Sequence, residues 1–296
     1  MKEINKVFDA YENETYCLKL QRDVICVDGP DAGKYLQGQL TQDVLAMNEG
    51  KSVWSFLLNP DGKVNAWLRV SQIGENRYLL DIDSDSGEAV IERLLRFKLR
   101  TDCELTLEKW DGVTIVGKDA VSFAGKPISK QIAAQTAWPK INSVDILGGD
   151  TKAFLQRFPE PEQSSDFLRI INFIPKMRKE LHAKVIPAET GLVEMSVSFT
   201  KGCYTGQELV ARVDSRGNKV PKNLMLIVCH GGMSIGDDVE VDGVSTGQLC
   251  SVASASNLTV GLAYIARKVT SSTEGKVKGK TVSINSRQDT FSPEGK

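Results

Sequence analysis

Beyond Pro221 the chain has little choice but to form short antiparallel strands. Leu224–Val228, Asp238–Val241, Val244–Leu249, Ser251–Ala255 and Thr259–Ile265 are split by Gly231-Gly232, Asp242-Gly243 and Ser256-Asn257. Such dipeptides take the positive φ of tight hairpins at little steric cost. Strands this short bury an apolar face by closing into a small barrel or sandwich. Val282–Ile284 supplies a closing strand. The reading is therefore a C-terminal antiparallel β-barrel over residues 220–285. The polar end, 286–296, reads as a disordered tail.

Residues 1–219 carry a different pattern. Val24–Val27 is the first clear strand, and Asp28-Gly29-Pro30-Asp31 turns into a helix from Ala32 to Leu40. Ser52–Leu58 and Lys63–Val70 flank Asn59-Pro60-Asp61-Gly62, a hairpin turn with Pro and Gly in favourable places. Tyr78–Ile82 is a further strand. Asp85-x-x-Glu88 has capping-box spacing and opens a helix with Val90, Ile91, Leu94 and Leu95 inward. Strands at Glu104–Leu107, Val113–Val116 and Val144–Leu147 follow, then helices over 150–158 and from an Asp166 cap. Paired strands punctuated by helices, without regular alternation, make the fold class α+β.

Composition narrows the function. The 296 residues carry a net charge of −1, so the chain as a whole does not attract nucleic acid or acidic membranes. No apolar run approaches the ~20 residues of a membrane span. The start, Met1 to Asn5, lacks a signal-peptide core, so the cytoplasm is the expected compartment. The six cysteines, at 17, 26, 103, 203, 229 and 250, show no Cys-x-x-Cys spacing, and no metal site is expected. His182 and His230 are isolated and read as structural or surface residues.

Chemistry concentrates in Ser198-Phe199-Thr200-Lys201-Gly202-Cys203-Tyr204-Thr205-Gly206-Gln207-Glu208. Thr205 and Glu208 have capping-box spacing, which places Cys203 just before a helix N-terminus and two residues from the Lys201 cation. That setting lowers a thiol pKa from about 8.5 toward neutrality. Gly202 and Gly206 point to a tight bend or a close backbone approach. The plainer reading of Cys203 is a small buried hydrophobe. Upstream, Glu189 and Glu194 are paired carboxylates that serve acid–base or ligand work, or merely surface salt bridges. The cations Arg93, Arg96, Lys98 and Arg100 are solvated helix-end charges or an anion contact.

Lys201-Gly202-Cys203-Tyr204-Thr205-Gly206-Gln207-Glu208 resembles the signature of the YgfZ-type folate-binding proteins, relatives of the glycine-cleavage T-protein, an aminomethyltransferase. Gly29-Pro30-Asp31-Ala32, Tyr35 to Val44, Leu57 to Lys63 and Ile186 to Leu192 resemble further segments of that family, and Gly247 to Tyr264 resembles the T-protein barrel. The resemblance implies a ring in which two intertwined α+β parts, within residues 1–219, precede the barrel. It implies a central opening for tetrahydrofolate and a supporting role in iron–sulfur cluster assembly or repair, through which tRNA methylthiolation is served. Cys203 and Lys201 become the candidate reactive pair. Glu189, then Glu194, become candidates for the pterin. Asn65, Gln207 and Arg212 are further folate candidates, with Arg216 one turn beyond Arg212. Partners are folate and iron–sulfur enzymes or assembly proteins, acting on a monomer, without a stable nucleic-acid complex.

One departure separates the two relatives. The T-protein resembles Gly-x-x-Asp-Asp where Gly62-Lys63-Val64 is followed here by Asn65 and Ala66. An amide cannot act as a carboxylate base. The alternative, a folate-dependent aminomethyltransferase or other one-carbon transferase, is therefore disfavoured.

Overall fold

The computed structural model describes residues 1–291. A helix α1 (Lys2–Ala10) leads into the long strand β1 (Thr15–Asp28), then α2 (Ala32–Gln39) and the strands β2 (Ser52–Leu58), β3 (Val64–Gly74) and β4 (Arg77–Asp83). After α3 (Gly87–Arg96) come β5 (Glu104–Gly117), β6 (Gln131–Gln135) and β7 (Ser143–Gly148), then the short helices α4 (Lys152–Arg157), α5 (Ser165–Ile171), α6 (Val193–Ser196) and α7 (Gln207–Ser215). The remainder is β8 (Lys222–Cys229), β9 (Asp238–Val241), β10 (Val244–Ala255), β11 (Leu258–Ala266), β12 (Thr273–Val277), β13 (Lys280–Asn285) and α8 (Arg287–Phe291).

Seven strands form one antiparallel sheet in the order β2-β3-β4-β1-β5-β7-β6. The period of two along β1 decides its layers. Ile25 and Val27 face α2 and α3, where Leu36 and Leu94 complete a core. Leu20, Val24 and Cys26 face the other way, toward Leu79, Trp110 and Ile132. Arg69 of β3 donates through Nη1 to the carbonyls of Ala134 and Gln135 in β6, at 3.3 and 3.2 Å. The second and last strands in the order therefore meet, so the sheet is rolled around its inner face.

That inner face buries charge. Arg22 pairs with Asp81 at 3.0 Å and with Asp83. Arg69 pairs with Asp81 at 2.8 Å and with Asp145 at 3.2 Å, and Thr114 donates to Asp145 at 2.7 Å. Arg69 is 1% and Asp81 0% exposed, so each depends on the others for neutralisation.

The C-terminal strands close into a barrel ordered β10-β11-β8-β13-β12-β9, as the turn pattern requires. Met225, Ile227, Leu249, Ala263 and Ile265 fill it. Leu224, Leu226, Val260 and Leu262 point outward onto Ile4 and Phe8 of α1 and Phe167, Leu168 and Ile171 of α5. The alternation is thus hidden, because both faces of β8 and β11 are buried.

Several expectations change. Val244–Leu249 and Ser251–Ala255 are one strand with an irregularity between Leu249 and Ser251. The strand β12 is an addition to the expected set: Thr273, Glu274 and Lys276 mask the apolar signal of Val277. Residues 287–291 of the expected disordered tail are helical: Arg287 donates to the Phe173 carbonyl at 2.9 Å, and Phe291 packs edge-on to Phe173 at 5.4 Å. The rest of that tail, 292–296, lies outside the described residues. Asp85 does not cap α3. Asp23 of β1, on the sheet face against which α3 packs, does so, accepting the Ser86 and Gly87 N–H groups at 3.0 and 2.7 Å. Ser164, not Asp166, caps α5, at 3.2 Å from the Phe167 N–H.

Replacing Arg69 by Met should leave Asp81 and Asp145 without their shared cation and cost about 3–5 kcal/mol of stability. Urea unfolding checks this. A loss no larger than that of a surface Arg→Met control would show that the network is dispensable.

Candidate functional site

Two glycines bring the signature segment and the hairpin turn together. Gly206, at φ +83°, ends the loop before α7, and Gly62, at φ +79°, ends the β2–β3 turn. A Cβ on Gly206 would meet the Asn59 carbonyl oxygen at 2.6 Å, and one on Gly62 would meet Leu209 Cβ at 2.4 Å. Backbone lies on backbone here, which is the close approach expected of Gly206. Gly202 has open space at its Cβ position.

The signature also caps α2 from outside. The last carbonyls of a helix lack intrahelical donors. Lys201 Nζ donates to the carbonyls of Gln37, Leu40 and Gln42 at 2.6, 2.7 and 3.0 Å. The Thr205 N–H donates to the Gly38 carbonyl at 3.0 Å. The expected Thr205–Glu208 capping box does not form: the helix start is Gly206, without a side-chain cap, and the Thr205 hydroxyl turns to Gly38 at 3.5 Å.

Lys201 and Cys203 part company as a result. Lys201 is buried with its three N–H groups spent on three carbonyls, its ammonium 5.1 Å from the Tyr204 ring. It is a staple, not a free cation beside the thiol. Burial lowers its pKa to about 8, against the pull of Asp43. Cys203 is exposed, the one exposed cysteine of the six.

Thr41 holds the same region from the sheet side. Its hydroxyl donates to the Ser196 carbonyl at 2.6 Å, and its own carbonyl accepts the Ser198 N–H at 3.0 Å. Ser196 in turn accepts the Trp67 indole N–H through its hydroxyl at 2.9 Å. Thr41 and Ser196 are fully buried.

Trp67 opens onto a cleft of about 650 Å³ between the rolled sheet and α5, lined among others by Trp54, Trp138, Asp83, Asp145 and Arg169. Trp54 and Trp67 stack at 4.1 Å and 16°. The Arg69 guanidinium lies 5.3 Å from the Trp54 ring. Arg169 fixes the opposite wall through Asp166 at 2.6 Å, Glu180 at 3.2 Å and Ser251 of the barrel at 2.6 Å. Burial holds the Asp145 carboxyl above its ordinary range, opposed by Arg69 and Arg22. Lys19, Lys152 and Lys176 stand at the rim, the first two exposed. The volume and apolar walls suit one small-molecule ligand.

The other predicted site residues lie elsewhere; none lines this cleft. Asn65 donates to Asn59 Oδ1 at 3.2 Å, beside the hairpin turn, and its own Oδ1 is buried without a partner. Glu189 folds onto its own turn, accepting the Ile186 N–H at 3.2 Å, and burial raises its pKa against that bond and Lys222. Glu194 is exposed on α6, within electrostatic reach of Arg287. Gln207 begins α7, Arg212 is exposed in its last turn and Arg216 follows it. His182 is exposed, and His230 meets Glu3 at 3.0 Å on the surface, as expected. The cleft residues were legible in one respect: arginine within Trp67-Leu68-Arg69-Val70 is out of place in an apolar strand unless its interior face is polar.

No protein-family profile matches the chain. An uncharacterized protein of Haemophilus influenzae is 28% identical over 224 residues, covering 75% of this chain and 76% of that protein. The mitochondrial iron–sulfur cluster assembly factor IBA57 homologue of Mycosarcoma maydis is 30% identical over 214 residues, covering 66% of this chain but 53% of that longer protein. The tRNA-modifying protein YgfZ of Colwellia psychrerythraea is 28% identical over 236 residues, covering 73% and 71%. The crystal structure of the glycine cleavage system aminomethyltransferase T from Bartonella henselae superposes with a TM-score of 0.80 at 15% identity, over 97% of this chain and 89% of that one. The chain is thus similar in sequence to YgfZ and IBA57 homologues, and its rolled sheet and closed barrel have the fold of aminomethyltransferase T.

Proposed function

We propose that this chain is a tetrahydrofolate-binding accessory protein that supports iron–sulfur cluster assembly or repair, and through an iron–sulfur client the modification of tRNA. The relatives' names support the client class. One observation supports the ligand: a stacked tryptophan pair and buried carboxylates share a cleft with cations at its mouth. A pterin is planar and presents N–H donors, and the folate tail is anionic. The residues fit that group. Trp54, Trp67 and Trp138 would flank the ring, Asp145 or Asp83 would accept from its donor edge, and Lys19, Lys152 and Lys176 would receive the tail. When bound, tetrahydrofolate would supply one-carbon carriage.

Cys203 would face the client. It is exposed while its neighbours Lys201 and Thr205 are pinned to α2, so the thiol is presented on a held loop. Such a thiol serves as nucleophile, redox group or transient cluster ligand. The net charge of −1 leaves no basic footprint, so the link to tRNA would run through a protein. Aminomethyl transfer is disfavoured by the amide at Asn65.

Calorimetry with tetrahydrofolate tests the site. Wild type, Cys203→Ala and Glu189→Gln should bind alike, whereas Trp54→Ala and Asp145→Asn should each weaken binding about tenfold, the equivalent of roughly 1.4 kcal/mol. Absence of binding by wild type would end the folate reading. Loss on Glu189→Gln with retention on Asp145→Asn would move the ligand out of the cleft. In cells, Cys203→Ala should fold normally and fail to restore an iron–sulfur client.

Lys201 makes a separate prediction. Its folded pKa of about 8 lies below the ordinary 10.5. Between those values the unfolded chain binds the extra proton, so this lysine's contribution to stability increases as pH rises through that window and is constant outside it. The stability gap between wild type and Lys201→Met should therefore shift in favour of wild type from pH 8 to pH 10. A gap flat with pH would show that the three carbonyls fully compensate the burial.

A further inference from the structure

We propose that Ser196 is a positioning residue that couples occupancy of the tryptophan cleft to the state of the Cys203 loop. The inference rests on the ligand reading above but can be tested without it. Trp67 lines the cleft, and its indole N–H is held at 2.9 Å by the buried Ser196 hydroxyl. Ser196 ends α6, two residues before the segment that carries the thiol. Its carbonyl accepts the Thr41 hydroxyl at 2.6 Å. The Thr41 carbonyl then takes the Ser198 N–H at 3.0 Å, and the carbonyls on either side, Leu40 and Gln42, take Lys201 at 2.7 and 3.0 Å. One continuous set of hydrogen bonds thus runs from a cleft wall to the base of the thiol loop.

The cleft end of this set is not free to absorb a change locally. Trp54 contacts both the Trp67 ring, at 4.1 Å, and the Arg69 guanidinium, at 5.3 Å. Arg69 is fixed by Asp81 and Asp145. A planar ligand that displaces the stacked pair therefore moves Trp67 rather than Arg69. Moving Trp67 either carries Ser196 with it or leaves a buried N–H without a partner, and unsatisfied buried donors are rare. The thiol end has less restraint: Gly202 has open space around it, and Cys203 and Phe199 are exposed. Displacement is therefore expressed at Phe199 and at Gly202 and Cys203, on either side of the fixed Lys201.

The test reads the rate at which iodoacetamide alkylates Cys203, followed by mass spectrometry of that peptide. Without ligand, Trp67→Phe and Ser196→Ala each remove the hydrogen bond and should change the rate about fivefold, the lower end of ordinary coupling. Ser196→Thr keeps a hydroxyl and should restore the wild-type rate. With saturating tetrahydrofolate, wild type should show a comparable change, and Ser196→Ala should bind the same probe by calorimetry yet lose the response. Ligand-free rates in Trp67→Phe and Ser196→Ala equal to wild type would overturn the coupling, as would a full response in Ser196→Ala. A wild type that fails to bind tetrahydrofolate sinks the ligand reading instead, and the ligand-free rates still decide the coupling.

Discussion

The structure depends on two arginines buried inside a rolled sheet. Arg22 and Arg69 would be intolerable there alone, because desolvating a charge costs more than any single contact returns. Three strands answer them: Asp81 and Asp83 from β4, Asp145 from β7 and carbonyls from β6, while Thr114 of β5 donates to Asp145. Satisfying Arg69 requires β3 and β6 to approach, and that approach rolls the sheet. Rolling leaves a concave mouth that the sheet alone cannot fill. The cleft is what remains when α5 and the barrel close over that mouth, with Arg169 tying Asp166, Glu180 and Ser251 into the far wall.

The same economy governs the thiol segment. α2 ends with carbonyls that need donors, and the chain supplies them from a segment some 160 positions away, through Lys201 and Thr205. A lysine at the carbonyl end of a helix is favoured by the dipole as well as by the hydrogen bonds. Fixing Lys201 downward leaves Cys203 directed outward. On the proposed function, the lysine would serve the thiol by holding its loop.

Sequence patterns exposed the barrel, the hairpin and the signature because each rests on local chemistry: turn dipeptides, a Pro-Asp-Gly turn, glycine and cysteine in a short motif. They also singled out three segments, Tyr35 to Val44, Asn59 to Gly62 and Lys201 to Glu208, that the fold brings into contact. What stayed hidden rests on distant partners. Asp23 caps α3 from β1, more than sixty positions away, although Asp85 stands nearer in the chain. Trp54 and Trp67 share a face only once β2 pairs with β3 in register, Trp54 opposite Arg69 and Phe56 opposite Trp67. Asp145 reads as one polar residue in a strand until Arg69 reaches it across the roll. Glu189 and Glu194 stand in a loop and a short helix where the sequence shows them directly, whereas Asp81 and Asp145 gain their partners only from the roll of the sheet.

Placing the cleft and the thiol apart has a chemical consequence. On the proposed function, a thiol inside the cleft would be shielded from a protein client, whereas the apolar pocket beside Phe199 on the exposed loop, about 10 Å³, has room for a water but not for a folate ring. Hydrogen bonds through Trp67, Ser196 and Thr41 connect the two places. Thr41 is suited to the junction because its N–H, hydroxyl and carbonyl all find partners: Phe56, Ser196 and Ser198. A residue with every polar group committed transmits a displacement instead of absorbing it, since yielding at one bond strains the others. On the proposed function, an accessory protein that reports a bound cofactor to a partner would need such a junction more than a catalytic base, and Asn65, an amide held to Asn59 beside the turn, would fit that division of labour.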